Sequence, residues 1–172
     1  MALGFLIVVV FVPMVAEAVL AASNERKQLA RGGIRAPGDV HEVMRIVYPA
    51  AFFMMIVEGF FRHPPVIVVG TGFVVFVAAK LLKWAAIVSL GSSWTFRVIV
   101  IPGAALVARG PYRYVRHPNY VAVVGELVGT ALMTGAFIAG PIGIVGFLAL
   151  LRMRIGVEER ALARLTGAKS AR

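Results

Sequence analysis

Apolar and polar positions fall in long blocks along this chain, not in the short strides of a soluble fold. From Met1 to Ala22 the only charge is Glu17. That run is long enough to cross a bilayer as a helix, which takes about 20 residues. Ala16-Glu-Ala18 resembles a secretory cleavage site, but no basic region precedes it, so the segment reads as a span and not as a leader. A second apolar block runs from about Met44 to Phe61, and His63-Pro-Pro65 forces a turn after it, because proline removes backbone donors and fixes φ. A third block runs from Val66 to Leu90. It carries Lys80 and Lys83 in its last third, where both are expected to snorkel to the head groups. A fourth runs from Asn119 to Ile138. Ala139-Gly-Pro141 predicts a tight turn into a fifth, Ile142 to Ile155, which continues as a helix out of the membrane.

The stretch between the third and fourth blocks has another character. Trp94-Thr-Phe-Arg-Val-Ile-Val-Ile101 is aromatic and β-branched, Pro102-Gly103 is a turn signal, and Ala104-Ala-Leu-Val107 follows. The expected fold is thus an all-α integral membrane protein of about five transmembrane helices, with a short interfacial β-hairpin-like connector before the fourth. It forms one membrane-embedded domain over 1–172, in which 1–90 supplies three spans, 91–118 the connector and its motif, and 119–172 a helical hairpin and tail.

Composition and charge sharpen this picture. Of 172 residues, 60% are hydrophobic and 15% charged, and a soluble domain of that size would not tolerate such a surface. Cysteine is absent and the three histidines, His41, His63 and His117, lack ligand spacing, so no metal site is expected. The formal charge of +10 is explained by topology. Arg26, Lys27, Arg31, Arg35 and Arg45 follow the first span, and only Arg62 follows the second. Lys80 and Lys83 at the end of the third span gather with Arg97, Arg109, Arg113 and Arg116 after it, and the fourth turn has none. Arg152, Arg154, Arg160, Arg164, Lys169 and Arg172 lie at the tail. This alternation places the N-terminus outside and the C-terminus in the cytoplasm of an inner or plasma membrane. Nucleic acid is therefore not an expected partner.

Candidate chemistry concentrates in Gly110-Pro-Tyr-Arg-Tyr-Val-Arg-His-Pro-Asn-Tyr120. Arg113, Arg116 and His117 sit beside Tyr112, Tyr114 and Tyr120, with Pro118 opening the following apolar block. Buried charge is costly, so an apolar chain that keeps such a cluster at a helix mouth is expected to use it. Glu126, about two turns into that block, is either functional or a bridge to a basic neighbour. Glu158 and Glu159 are either part of a site or a solvated helix face, since Arg154 precedes Glu158 by an ion-pair spacing. Arg113 and Arg116 also suit interfacial anchoring, as does Trp94. His41 faces either the substrate mouth or solvent. Gly125, Gly129 and Ala131 suit close helix packing, and Phe52-Phe53-Met54-Met55 suits packing or lipid.

At these residues the chain resembles the isoprenylcysteine carboxyl methyltransferase family. The matching pieces are Leu90-Gly91 with Trp94 and Arg97, then Gly110-Pro-Tyr-Arg, then Arg116-His-Pro-Asn-Tyr120, then Arg154-Ile155 with Glu158-Glu159, over residues 85 to 165. Asn24-Glu25 and Gly32-Gly33 with His41 are similar to small bacterial members associated with type III polyketide synthases, taken to O-methylate alkylpyrones or phenolic lipids. The resemblance implies S-adenosylmethionine (SAM) as cofactor and a lipophilic small-molecule or prenylated acceptor drawn from membrane lipid. In that frame Glu158 or Glu159 meets the cofactor's ammonium, and His117 with the backbone beside Pro118 meets its carboxylate. Tyr120, Leu151 and Leu162 wall the adenine, with Tyr112 also in the cofactor site, and Arg154, Arg113 or Arg116 orients the acceptor, with Glu126 a further catalytic candidate. Two other function classes compete. An NADPH-dependent membrane reductase of sterol-reductase type would call for clustered arginines, and a small transporter for internal repeats.

Overall fold

The structure, a computed structural model, describes residues 3–104 and 107–166. Met1, Lys169 and Arg172, at the ends of the expected topology, lie outside the described residues, as do Ala105 and Leu106 of the connector. Five helices form: α1 (Leu3–Ala30), α2 (His41–Gly59), α3 (Val66–Leu90), α4 (Pro118–Thr134) and α5 (Ala139–Thr166). Short strands β1 (Ile34–Arg35) and β2 (Ile99–Val100) precede α2 and α4 respectively.

Among the described residues, α1, α3 and α5 are the helices long and apolar enough to cross a membrane by themselves. The remaining two are shorter. α2 has 19 residues and carries Glu42, Arg45 and Glu58, and α4 has 17, about 26 Å at 1.5 Å per residue. The five-helix order matches the sequence pattern, but the charges of α2 and the shortness of α4 set them apart from the three long spans. Val8, Val12, Val15 and Val19 on α1, Val74, Leu81 and Val88 on α3, and Ile142 and Val145 on α5 are all exposed. An apolar belt of that extent is stable only against lipid, so this is a membrane protein. Inside the bundle, Leu6, Val10, Phe52, Met55, Phe76, Leu127, Phe147 and Leu151 form one core drawn from all five helices. Phe52 and Met55 pack inward while Phe53 and Met54 face out, as a helical turn requires.

α3 and α4 pack most closely. A Cβ on Gly72 would lie 2.7 Å from the Gly129 carbonyl oxygen, and one on Gly129 would lie 2.7 Å from the Phe76 nitrogen. Backbone meets backbone there, which only glycine permits. Gly125 serves similarly against Ala79. Gly129→Val should therefore lower stability by about 1–3 kcal/mol through overpacking. A thermal melt in detergent with an unchanged midpoint would show that the two helices can part without cost.

Three expectations change. First, Lys80 and Lys83 do not snorkel outward. Lys83 is 2% exposed, and its ammonium lies 2.6 Å from Glu17 and 3.3 Å from Glu126. Lys80 completes the ring, at 3.1 Å from Glu17 and 3.2 Å from Glu126. Tyr48 on α2 donates its hydroxyl proton to Glu126 as well. Two positive and two negative charges cancel inside the bundle, so neither lysine needs the head groups. Second, the turn before α5 comes earlier. α4 ends at Gly135, a left-handed residue at φ +65°, and α5 has already begun at Ala139, so Pro141 sits in its first turn, where a missing N–H costs nothing. Glu58 accepts hydrogen bonds from the Ile138 and Ala139 nitrogens, capping α5 from α2, and also holds Arg62 at 2.8 Å. Third, β2 pairs with β1 of the first loop, Ile34 opposite Val100 and Arg35 opposite Ile99. Pro102-Gly103 does turn the chain, with the Ala104 nitrogen donating to the Ile101 carbonyl. The partner strand nonetheless comes from a distant segment.

Candidate active site

The connector between α3 and α4 is fastened from the far end of α1. Asn24 and Gln28 are one helical turn apart and face the same way. Asn24 donates to the carbonyls of Gly91 and Trp94, at 3.1 and 2.9 Å, and Gln28 to those of Ser92 and Ser93, at 3.2 and 3.0 Å. Both amides are buried. They satisfy carbonyls that a non-helical segment leaves open, which a membrane protein must do internally. Further along, Gly110 adopts φ +58° and a Cβ there would strike the Ser89 hydroxyl, so the motif's glycine is a steric necessity. A tight turn over Gly110–Arg113 follows, and His117 then precedes α4, with Pro118 in its first turn.

These constraints bring Arg154, Tyr120, Glu158 and His117 together. The Tyr120 hydroxyl donates to Glu158 Oε2 at 2.7 Å and accepts from Arg154 Nε at 2.9 Å. His117 stacks on the Tyr120 ring with 5.3 Å between centroids, its Nδ1 3.9 Å from Glu158. Arg154 and Glu158 are linked through Tyr120 and not by the direct helical ion pair that their spacing also allows. Arg154 instead pairs with Asp39 at 3.0 Å, and its Nη2 donates to the Phe96 carbonyl. Asp39 is the neighbour of the candidate site that the sequence did not single out. Its second oxygen accepts from the Val98 nitrogen at 2.8 Å, so it joins the first loop to the connector. Its signal was present as an acid after Pro37-Gly38, just before a helix, in a chain with a buried arginine to neutralise.

Two cavities meet at this cluster. One, of about 280 Å³, lies under the connector and includes Val98, Val100, Tyr112, His117, Glu158 and Leu162 in its lining. The other, of about 360 Å³, opens among the helices between Phe11, Met14, Met44, Tyr48, Phe147 and Leu151. Trp94, Thr95, Asn119, Tyr120 and Arg154 line both and form the wall between them. Trp94 is no interfacial anchor. It is 3% exposed, and its indole N–H donates to Asn119 at 3.3 Å. The Tyr112 phenol keeps its proton well above the usual range, first because it is buried and then because Glu158 is near.

Not every candidate gathers here. Glu126 belongs to the buried ion ring with Lys80 and Lys83 and lines neither cavity. Arg116 and Glu159 are exposed and stand outside both linings, and Pro118 is buried beneath the motif without lining either. Among the described residues no cluster of His, Asp and Glu has the makings of a metal site.

Comparison with known proteins places this geometry. The model of the isoprenylcysteine carboxyl methyltransferase (ICMT) family matches residues 70–164, from α3 to the end of α5 and including the whole shared wall. The chain is 29% identical over 160 residues to the uncharacterized protein YpbQ of Bacillus subtilis (strain 168), covering 91% of this chain and 94% of that one. It is 26% identical over 150 residues to an uncharacterized protein of Haemophilus influenzae, covering 85% and 86%. No solved structure matches.

Proposed function

The chain belongs to the isoprenylcysteine carboxyl methyltransferase family, a family of membrane methyltransferases, and from that premise we propose that it uses SAM to methylate an oxygen of a lipophilic acceptor. The observation that carries this reading is the pair of abutting cavities, one polar-edged and one apolar, with a single wall between them. A cofactor from water fits the first and an acceptor from lipid fits the second. The wall is where a methyl group would pass.

The residues under the connector suit SAM. Glu158 is a partly exposed carboxylate on the cavity, suited to an ammonium. His117 and Asn119 offer polar contacts to a carboxylate, and Tyr112, Val100 and Leu162 offer an apolar slot to a purine. The two arginines on this cavity are already engaged, Arg97 by Glu42 and Glu25 and Arg154 by Asp39, which leaves the lining poorly suited to the phosphates of NADPH. When bound, the sulfonium supplies an activated methyl group. Tyr120 and Arg154, held on both sides of the wall, orient the acceptor oxygen toward it, and alignment is the larger part of such a barrier. Burial of Trp94 beside them keeps bulk water from competing. The basic residues around the connector and tail put this mouth on the cytoplasmic face, and the acceptor would enter sideways from the bilayer.

Calorimetry on detergent-solubilised protein tests the cofactor. SAM should bind and NADPH should not. Glu158→Gln should weaken SAM by about 1.5–3 kcal/mol, since it removes a charge-assisted hydrogen bond. Binding of NADPH alone would overturn the reading, and unchanged SAM affinity in the variant would reduce Glu158 to a structural partner of Tyr120.

A further inference from the structure

The apolar cavity holds six titratable side chains in its lining: His41, Arg45, Tyr48, Lys83, Tyr120 and Arg154. Five are unable to take a proton. Arg45, Lys83 and Arg154 are cations held by Glu42, Glu17 and Asp39 at 3.0, 2.6 and 3.0 Å. Tyr48 and Tyr120 already donate to Glu126 and Glu158. The imidazole of His41 is the exception. Its ring packs 6.3 Å from that of Phe96, and it takes part in no hydrogen bond among the described residues. Asp39 Oδ1 accepts from both the His41 backbone nitrogen, at 3.1 Å, and Arg154 Nη1, at 3.0 Å. One carboxylate oxygen therefore fastens the start of α2 and the wall arginine at the same end of the cavity.

We propose that His41 is the proton acceptor for a hydroxyl-bearing substrate in this cavity. The inference rests on the methyl-transfer reading above. A carboxylate acceptor arrives ionised, whereas an enol or phenol arrives with its proton and is a weak nucleophile until that proton leaves. In the balanced step, the acceptor's O–H bond breaks and leaves its electron pair on oxygen. That oxygen forms the new bond to the methyl carbon as the carbon–sulfur bond breaks. Sulfur keeps the pair as a neutral thioether, and the proton ends on His41, which returns it to water at the exposed start of α2.

The surroundings keep His41 in the form this role needs. Burial lowers its affinity for a proton most, followed by the Arg97 and Arg154 guanidiniums, and Asp39 and Glu42 oppose them without cancelling them. Arg45 lines the same cavity. The ring is thus neutral near pH 7 and becomes protonated only below the ordinary histidine value of about 6.5. Turnover of a hydroxyl acceptor should rise with pH through that lowered midpoint and then level off.

The test uses full-length protein in lipid nanodiscs and two phenol probes, a long-chain alkylphenol and a long-chain alkyl nitrophenol whose phenolate is coloured, with a long-chain carboxylate as a third acceptor. Without SAM, the bound nitrophenol should ionise at a pH about one unit lower in the parent than in His41→Gln, because the neutral imidazole accepts the phenol's proton and the imidazolium so formed stabilises the phenolate. With SAM, His41→Gln should lose about a hundredfold in rate on the alkylphenol. It should lose little on the nitrophenol at a pH where that probe is already ionised. Both proteins should bind SAM equally, since His41 lies outside the cofactor cavity. His41→Asn provides a second variant if the first fails that check. An unshifted nitrophenol titration, or an equal rate loss on both probes, overturns the proposal, as does methylation of a long-chain carboxylate but of neither phenol. A parent protein that fails to bind SAM overturns the function reading itself, which separates the two failures.

Discussion

Lys83→Met is expected to destabilise the bundle by about 3–5 kcal/mol, the cost of stripping one partner from a buried ion network. Lys83 joins Glu17 of α1 to Glu126 of α4, and all three side chains are almost fully buried. Without it, Lys80 alone faces two carboxylates, and one uncompensated negative charge remains in a low-dielectric interior. Methionine nearly matches the volume, so the loss is electrostatic and not a cavity. Adding Glu17→Gln to Lys83→Met should return most of the stability, because it restores neutrality. Unfolding curves in detergent would settle this. A single variant as stable as the parent would mean that water reaches the ring and screens it. The ring also ties α1 to the pair α3 and α4 and accepts a hydrogen bond from Tyr48 of α2, so its failure should loosen the apolar cavity that Tyr48 and Lys83 line.

Arg154→Lys should slow methyl transfer about a hundredfold while SAM affinity changes little. The guanidinium works in three directions at once. Nε donates to Tyr120, Nη1 to Asp39 and Nη2 to the Phe96 carbonyl. A lysine keeps the charge but has no planar fork, so it can serve one of these groups well and not all three. Tyr120 would then shift within the wall between the cavities, and a misplacement of about 1 Å at a reacting centre costs about that factor. Lysine is the informative substitution because alanine would also leave Asp39, almost fully buried, without its cation. Single-turnover rates at saturating SAM would read the effect. A full rate combined with lost SAM affinity would assign Arg154 to the cofactor instead.

The sequence by itself determined the elements and the segment that carries the candidate site. α3 begins and ends at Val66 and Leu90, where proline and the loss of apolar residues place its limits. The motif from Gly110 to Tyr120, with Arg154 and Glu158 at their spacing, marked the family and the candidate site, because these are local patterns that a linear reading can hold. Tertiary structure decided who partners whom. Lys80 and Lys83 look like snorkelling residues until Glu17 and Glu126, far away in the chain, turn out to face them. Nothing local tells β2 to choose β1 over the run after Pro102-Gly103, nor Arg154 to choose Asp39 over Glu158 one turn away. Glu126, read from its depth as either functional or a bridge to a basic neighbour, bridges two ammonium groups and accepts from a phenol. In each case the strength of the interaction depends on burial and on a distance of a few ångströms. Packing creates both, and neither is written in the order of residues.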